Sequence, residues 1–330
     1  MKHFHFLSSS RLGLACVMAT LVAVVPLQAL SQAYPTKPVK VLVGFTAGGA
    51  VDLIARSVGQ AMQASLGQPV VVENKPGAGT NIAMKALIDA PPDGYTLMLT
   101  ANSIAANPAL YKPAPFDPEK DVAPVALVGR VPVVIAANAA SPYTSVAQLI
   151  QAAKGKPNTI AYGSPGNGAT PHMAMEFFTR AAGVDLQHIP YKGGSQAITD
   201  AIGGQIPLVA VNALEVLPHV KSGKLRVIAV LSPTRSSIYP DVPTIAESGF
   251  PGFEASVWYG FIAPAGTPKA AVERLHSAVA KALQHPDVRA RLANAGGEVL
   301  PGSTEQFAAL IRAERQRYDK LVREANIKPD

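Results

Sequence analysis

One cysteine, Cys16, occurs in 330 residues, and it lies in a stretch that reads as removable. Without it the chain has no thiol, which excludes disulfides, thiolate-ligated zinc and a cysteine nucleophile. No Walker lysine follows a glycine loop and no G-x-G-x-x-G opens the first helix, so no nucleotide cofactor is expected. A G-x-S-x-G nucleophile elbow is missing as well. Gly163-Ser164-Pro165-Gly166 resembles one, but proline after the serine removes an oxyanion-hole donor. Acidic residues are sparse near the glycine loops, which argues against paired-carboxylate chemistry. Beyond the N-terminal stretch no apolar run approaches transmembrane length. The reading is therefore of a binding protein, with an exported hydrolase as the remote alternative.

The N-terminal stretch is informative in itself. Lys2 and Arg11 precede an uncharged apolar run over residues 12–25, Pro26 breaks it, and Ser31-Gln32-Ala33 offers small residues for cleavage. Residues 1–33 thus read as a secretory signal peptide, with Tyr34 opening the mature chain. The remaining 297 residues carry 27 basic and 22 acidic side chains, a net +5. That balance favours anionic partners without pointing to nucleic acid. Near the C-terminus Arg312, Arg315, Arg317, Lys320 and Arg323 alternate with Glu314, Asp319 and Glu324, as on a solvated helix face.

From Tyr34 onward, short β-branched runs alternate with helical spacing: strands at 39–45, 69–73 and 95–100, helices at 53–66 and 82–89. A strand over 127–137 follows. A second block then repeats the alternation through helices at 146–153, 172–182, 196–203 and 215–222 and strands at 159–162, 188–190, 208–211 and 225–231. Residues 257–263 form the last expected strand, and three helices (270–284, 286–295, 303–326) close the chain. Those helices need a sheet to cover, and the first block supplies it. The expected architecture is two α/β lobes around a cleft, 34–131 with 254–330 and 132–253, joined by crossings near 131–138 and 258–265.

Three glycine-rich loops sit between an expected strand and helix: Phe45-Thr46-Ala47-Gly48-Gly49-Ala50-Val51-Asp52, Pro76-Gly77-Ala78-Gly79-Thr80-Asn81, and Ser164-Pro165-Gly166-Asn167-Gly168-Ala169-Thr170-Pro171-His172. Such loops let a ligand reach bare backbone, and the unpaired N–H groups of the next helical turn cradle an anion. None of the three contains lysine or arginine, so dipoles and neutral donors would carry the charge. Each candidate also has a structural role open to it. Asp52 can cap its helix instead of meeting a ligand. Ser164 can begin the turn, and Phe45 can belong to the core. The Tyr191 hydroxyl can bond neighbouring backbone, and Trp258 can support a crossing. His172 and Glu176, one turn apart, could ligate a metal, but no third ligand is evident and none is expected.

The chain resembles the Bug (Bordetella uptake gene) receptors, the substrate-binding components of tripartite tricarboxylate transporters. The segments that carry the resemblance include Val72-Glu73-Asn74-Lys75-Pro76-Gly77-Ala78-Gly79, Asp93-Gly94-Tyr95-Thr96-Leu97, Ile189-Pro190-Tyr191-Lys192-Gly193, Pro240-Asp241-Val242-Pro243-Thr244 and Trp258-Tyr259-Gly260-Phe261-Ile262-Ala263-Pro264. It implies an α/β type II periplasmic-binding-protein fold and a periplasmic receptor. It further implies capture of a small organic carboxylate in the cleft and delivery to membrane permease subunits by a monomer, without a cofactor. The contacts it implies are Phe45, Ala47, Gly48, Gly49 and Asp52 from the first loop and Ala78, Gly79, Thr80 and Asn81 from the second. Across the cleft it implies Ser164, Gly168, Ala169, Thr170 and His172, with Tyr191 and Asn212 at the distal end. The chain departs from the family pattern at Ala50, Val51, Thr80 and Thr170-Pro171, which bears on ligand identity. A sensory receptor signalling to a membrane kinase would share this fold and site, and the residues leave that alternative open.

Overall fold

The computed structural model describes residues 34–325 and Ile327, with Met1 and His3. The signal peptide expected over 1–33 otherwise lies outside the described residues. Chain order is β1 (Val39–Val43), α1 (Ala50–Leu66), β2 (Val70–Asn74), a 3-10 turn (Ala78–Thr80), α2 (Asn81–Ile88), β3 (Thr96–Thr100), α3 (Ser103–Leu110) and β4 (Val122–Asn138). There follow α4 (Val146–Ala153), β5 (Ala161–Ser164), α5 (Thr170–Ala182), β6 (Gln187–Pro190), α6 (Gly194–Ile202), β7 (Leu208–Asn212), α7 (Ala213–Lys221) and β8 (Leu225–Val230). The chain ends with β9 (Ser256–Pro264), α8 (Lys269–Ala282), α9 (Pro286–Asn294), β10 (Glu298–Val299) and α10 (Thr304–Ala325).

Helix α1 shows how the local sequence dictates these elements. Val51, Ile54, Ala55, Val58, Met62 and Leu66 recur at helical spacing, and all are buried against the sheet. The helix stops at Gly67, whose φ of 69° suits glycine and whose N–H donates to the Gln63 carbonyl at 2.9 Å.

Two sheets share one strand. In the first, β2, β1 and β3 run parallel, and β9 joins antiparallel between β3 and the first part of β4. In the second, the end of β4 lies between β7 and β8, with β5 and β6 parallel beyond β7. β4 changes partners at Pro132, which pairs with Ser256, while Val133 already pairs with Asn212. Parallel strands direct their carboxyl ends to one edge, so the three glycine loops emerge where the two sheets face each other.

Three details depart from the sequence reading. The return crossing lies upstream of 258–265: Leu231 N–H donates to Val133 O and Ala255 N–H to Leu231 O, and all of β9 pairs within the first sheet. A strand follows residue 263, because β10 pairs with Gly129 and Arg130; two residues are too few to show a period. Helix α3 was not expected. All eight of its residues are buried, so it has no polar face to mark it, and Pro108 lies within it. The C-terminal helices cover the first sheet, with Phe307 and Ile311 of α10 packed among Leu42, Met98 and Ile262.

Candidate functional site

The loops meet across the edge between the sheets, and backbone contacts join them. Thr46 N–H donates to Lys192 O at 3.3 Å, and Ala50 N–H donates to Glu215 Oε1 at 2.8 Å. Glycines permit this approach. A Cβ at Gly193 would overlap the Thr46 side chain, one at Gly194 the Glu215 carboxylate, and one at Gly168 the Asn107 amide. At Gly79, with φ 59°, it would overlap the Asn167 carbonyl.

Two cavities lie along this contact. The larger, about 320 Å³, is near the small end for ligand pockets. It is lined by Phe45, the turn from Gly77 to Thr80, Tyr111, Pro165 to Asn167, and Pro190 to Lys192. Ala78, Gly79 and Thr80 have φ of 48°, 59° and 81°, so the second loop presents consecutive left-handed residues ahead of α2. Within the turn the Thr80 N–H donates to Gly77 O at 3.0 Å and the Asn81 N–H to Ala78 O, and the turn leads directly into the N-terminus of α2. Among the described residues lining this cavity, Lys192 alone is charged.

The smaller cavity, about 20 Å³, is lined by Phe45, Gly49, Ala50, Ala169, Thr170, Asn212 and Glu215 among others. Glu215 stands in the first turn of α7 and reaches the N-terminus of α1. Its Oε1 accepts from Ala50 N–H and, at 3.3 Å, from Asn212 Nδ2, while Oε2 has no partner. Burial pushes the Glu215 carboxyl up against the pull of those two donors. Burial likewise raises the Tyr259 phenol, helped by the Glu215 charge.

Residues expected at the site divide accordingly. Phe45, Gly49, Ala169, Thr170 and Asn212 line the smaller cavity, and Phe45, Ala78, Gly79, Thr80 and Tyr191 the larger. Tyr191 lines the larger cavity, and its hydroxyl donates to Asp200 at 2.7 Å. Burial and that bond push the phenol up to about 12.

The others line neither cavity. Ala47 and Gly48 are on the exposed side of their loop. Asp52 is buried and fully engaged: it accepts from Gly48 N–H (3.0 Å), Arg56 Nε (3.0 Å) and Asn74 Nδ2 (3.0 Å). Burial works to raise its pKa, but the Arg56, Gly48 and Asn74 bonds outweigh it, and the carboxyl titrates below the usual range. Asn81 accepts from Asn107 Nδ2 at 2.7 Å. Ser164 Oγ accepts from Gly166 N–H and lies 2.7 Å from His188 Nε2. His172 Nδ1 accepts from Gly168 N–H, and its ring stacks on His188 with centroids 4.1 Å apart. His172 Nε2 is 3.7 Å from Glu176 Oε1, and among the described residues no group of three potential ligands gathers around a metal position. Ser164, Gly168 and His172 therefore hold the third loop in shape from behind.

Sequence reasoning missed Glu215, Lys192 and Asn107. Glu215 entered only as the first residue of an expected helix, and Lys192 stood inside a quoted family segment without a role. Asn107 belongs to the unexpected helix, where its Nδ2 also donates to Gly79 O at 2.7 Å.

The pattern of the tripartite tricarboxylate transporter family receptor matches residues 54–327. BugT of Bordetella pertussis is 37% identical over 297 residues, covering 89% of this chain and 91% of that one. The periplasmic binding protein BugD superposes with a TM-score of 0.86 at 35% identity, covering 90% of this chain and 100% of the other. The R. palustris protein Rpa4515, solved with adipate, gives a TM-score of 0.85 at 34% identity with the same coverage. No helix among the described residues is long and apolar enough to cross a membrane. The fold is that of type II periplasmic binding proteins, and the chain belongs to the tripartite tricarboxylate transporter receptor family, whose members are periplasmic solute-binding receptors.

Proposed function

We propose that this protein is a periplasmic receptor that captures a small organic carboxylate between its two sheets and delivers it to the membrane subunits of a tripartite tricarboxylate transporter. The observation that carries the reading is the larger cavity, lined both by the left-handed turn ahead of α2 and by Lys192. A carboxylate seated there meets the turn and the N-terminus of α2 on one side and Lys192 on the other. The first loop, whose Ala50 N–H is held by Glu215, supplies a wall through Phe45 and Gly49. Rpa4515 with adipate supports the ligand class.

Residues 34–131 with 254–330 form one lobe in this reading and 132–253 the other, turning on the strands that cross at Pro132 and Ala255. Residues 1–33 direct export and are removed. The contacts of Thr46 with Lys192 and of Ala50 with Glu215 exist only when the lobes are closed, so a ligand bridging them shifts the population toward closure. Moving from mostly open to mostly closed takes about 5.5 kcal/mol of differential affinity. A few charge-assisted hydrogen bonds at roughly 1.5–3 kcal/mol each supply it. The closed form is then what the permease subunits recognise.

The test is a thermal-shift screen of the refolded protein from Tyr34 onward against aliphatic and aromatic mono- and dicarboxylates, with their amides as controls. At a hundredfold excess over Kd, a true ligand adds about 2.7 kcal/mol of stability. Stabilisation by one or a few acids, lost in the matching amides, is the expected result. A refolded protein indifferent to every acid would overturn the carboxylate reading.

A further inference from the structure

We infer that Gly193 and Gly194, the paired glycines where α6 begins, are positioning residues for closure. The second lobe seats on the first through them, and a side chain at Gly193 holds the receptor open. The inference rests on the two-lobe reading above and specifies what limits the closing motion.

The hydrogen bonds from Thr46 N–H to Lys192 O and from Ala50 N–H to Glu215 Oε1 join the lobes. Each needs one of these glycines bare. A Cβ at Gly193 would overlap Thr46 Oγ1 and press on Thr46 Cβ and N, each 3.2 Å away. Those three nearest atoms all belong to the other lobe. A Cβ at Gly194 would overlap the Glu215 carboxylate, in its own lobe, and displace the side chain that reaches Ala50. One glycine thus admits the first lobe, and the other seats the residue that grips it.

Backbone conformation separates this role from that of an ordinary turn glycine. Gly193 has φ 173°, extended backbone that any residue adopts, so the chain ahead of α6 does not itself require glycine. What excludes a side chain is Thr46, and only in the closed arrangement. Ser195 Oγ lies 3.4 Å from Thr46 Oγ1, so closure sets the threonine against the first turn of α6. Turning χ1 of Thr46 would move Oγ1 aside but leave its Cβ and N in the way. Gly193→Ala therefore hinders closure, and the branched side chain of Gly193→Val prevents it. Gly193 is buried, yet neither it nor Thr46 lines either cavity. The pair acts on affinity through the fraction of receptor able to close, without touching the ligand.

Distance measurement between the lobes tests this. The chain from Tyr34 onward has no cysteine, so spin labels attach only where one is introduced. Lys85→Cys on α2 and Lys221→Cys on α7, both exposed, put one label on each lobe. Pulsed electron-resonance distances are recorded without additive and with each acid of the panel above, from succinate to benzoate. The doubly labelled parent should show a short, closed distance that gains population with any stabilising acid. Gly193→Ala should cut that population several-fold and weaken the affinity of such an acid roughly tenfold. Gly193→Val should remove the short distance. Adding Thr46→Ala to Gly193→Ala should restore most of it, and this pair serves if Gly193→Val does not fold. Urea midpoints should stay at the parent value, which separates hindered closure from damage to the fold. A closed population that survives the Gly193 variants, or that Thr46→Ala fails to restore, overturns the inference and leaves the carboxylate reading intact. The expected pattern seen without additive, with every acid silent, overturns the carboxylate reading and supports the seat. One unchanging distance in every sample overturns two-lobe closure and this inference with it.

Discussion

The first and second glycine loops are built alike, each a turn between a parallel strand and a helix, yet they end in opposite states. In the first, the chain supplies its own anions: Asp52 takes the Gly48 N–H and Glu215 the Ala50 N–H. In the second, Ala78, Gly79 and Thr80 curl toward a cavity whose charged lining residue is a cation, Lys192. The first loop is thus closed on the protein's own carboxylates, whereas the N–H groups of Thr80 and Asn81 in the second turn back on carbonyls of the loop itself. In the proposed function the second loop is the one that takes the ligand's charge.

The third loop offers the largest test of that distinction, because it is braced through a titratable group. Burial lowers the His188 pKa to about 4, against 6.5 for the free side chain. As pH falls below about 6.5 the unfolded chain takes up a proton that the folded one refuses. Stability is thus intact above 6.5 and declines until about pH 4, by up to about 3 kcal/mol. Urea midpoints measured across that window should slope for the wild type and flatten for His188→Gln. Ser164, His172 and the Tyr162 ring surround the imidazole, so the slope reports on the brace behind the loop.

Next in size is Asp52→Ala, which strips the first loop of its internal anion. It leaves Gly48 N–H and the Asn74 amide short of a partner and removes the Arg56 ion pair, at a cost of about 2 kcal/mol in urea unfolding. Carboxylate affinity of the folded variant should stay within about threefold. A large loss of affinity with stability unchanged would erase the contrast between the loops.

Lys192→Ala should do the reverse: affinity falls roughly tenfold, about 1.4 kcal/mol, with unfolding unchanged and less sensitivity of binding to salt. The smallest effect belongs to Asp89→Asn. Its pair with Lys85 lies in the open at the far end of α2, with side chains 57% and 77% exposed, and its loss should cost below about 0.5 kcal/mol. A larger cost would mean that α2 is held by its tail more than by its loop.

Much of this was legible in the sequence. The alternation of β-branched runs with helical spacing gave the strands, and glycines at their carboxyl ends marked the edge where the loops meet. A local role for Asp52 was legible too, because an acid in the first turn of a helix is a local signal, although it bonds the Gly48 N–H ahead of the helix and makes no N-cap bond. What escaped depends on residues far apart. Glu215 reaches Ala50 across a separation of 165 residues, and no spacing in either segment announces it. Helix α3 is buried on every side, which erases the periodicity that reveals a surface helix. Lys192 was visible as a residue but not as a lining residue of the same cavity as the second loop, since only the packing of two sheets brings them together.

The shared strand β4 also sets an order of assembly as the chain is made from its N-terminus. Residues 133–138 find β7 and β8 within the next hundred residues. The earlier part of the same strand must wait for β9, whose Pro264 pairs with Val122 and which also covers the edge of β3. The half of the protein that begins the sequence is therefore the last to be finished. Until residue 264 has emerged, β3 presents an unpaired edge, the kind of surface on which nascent chains associate with one another.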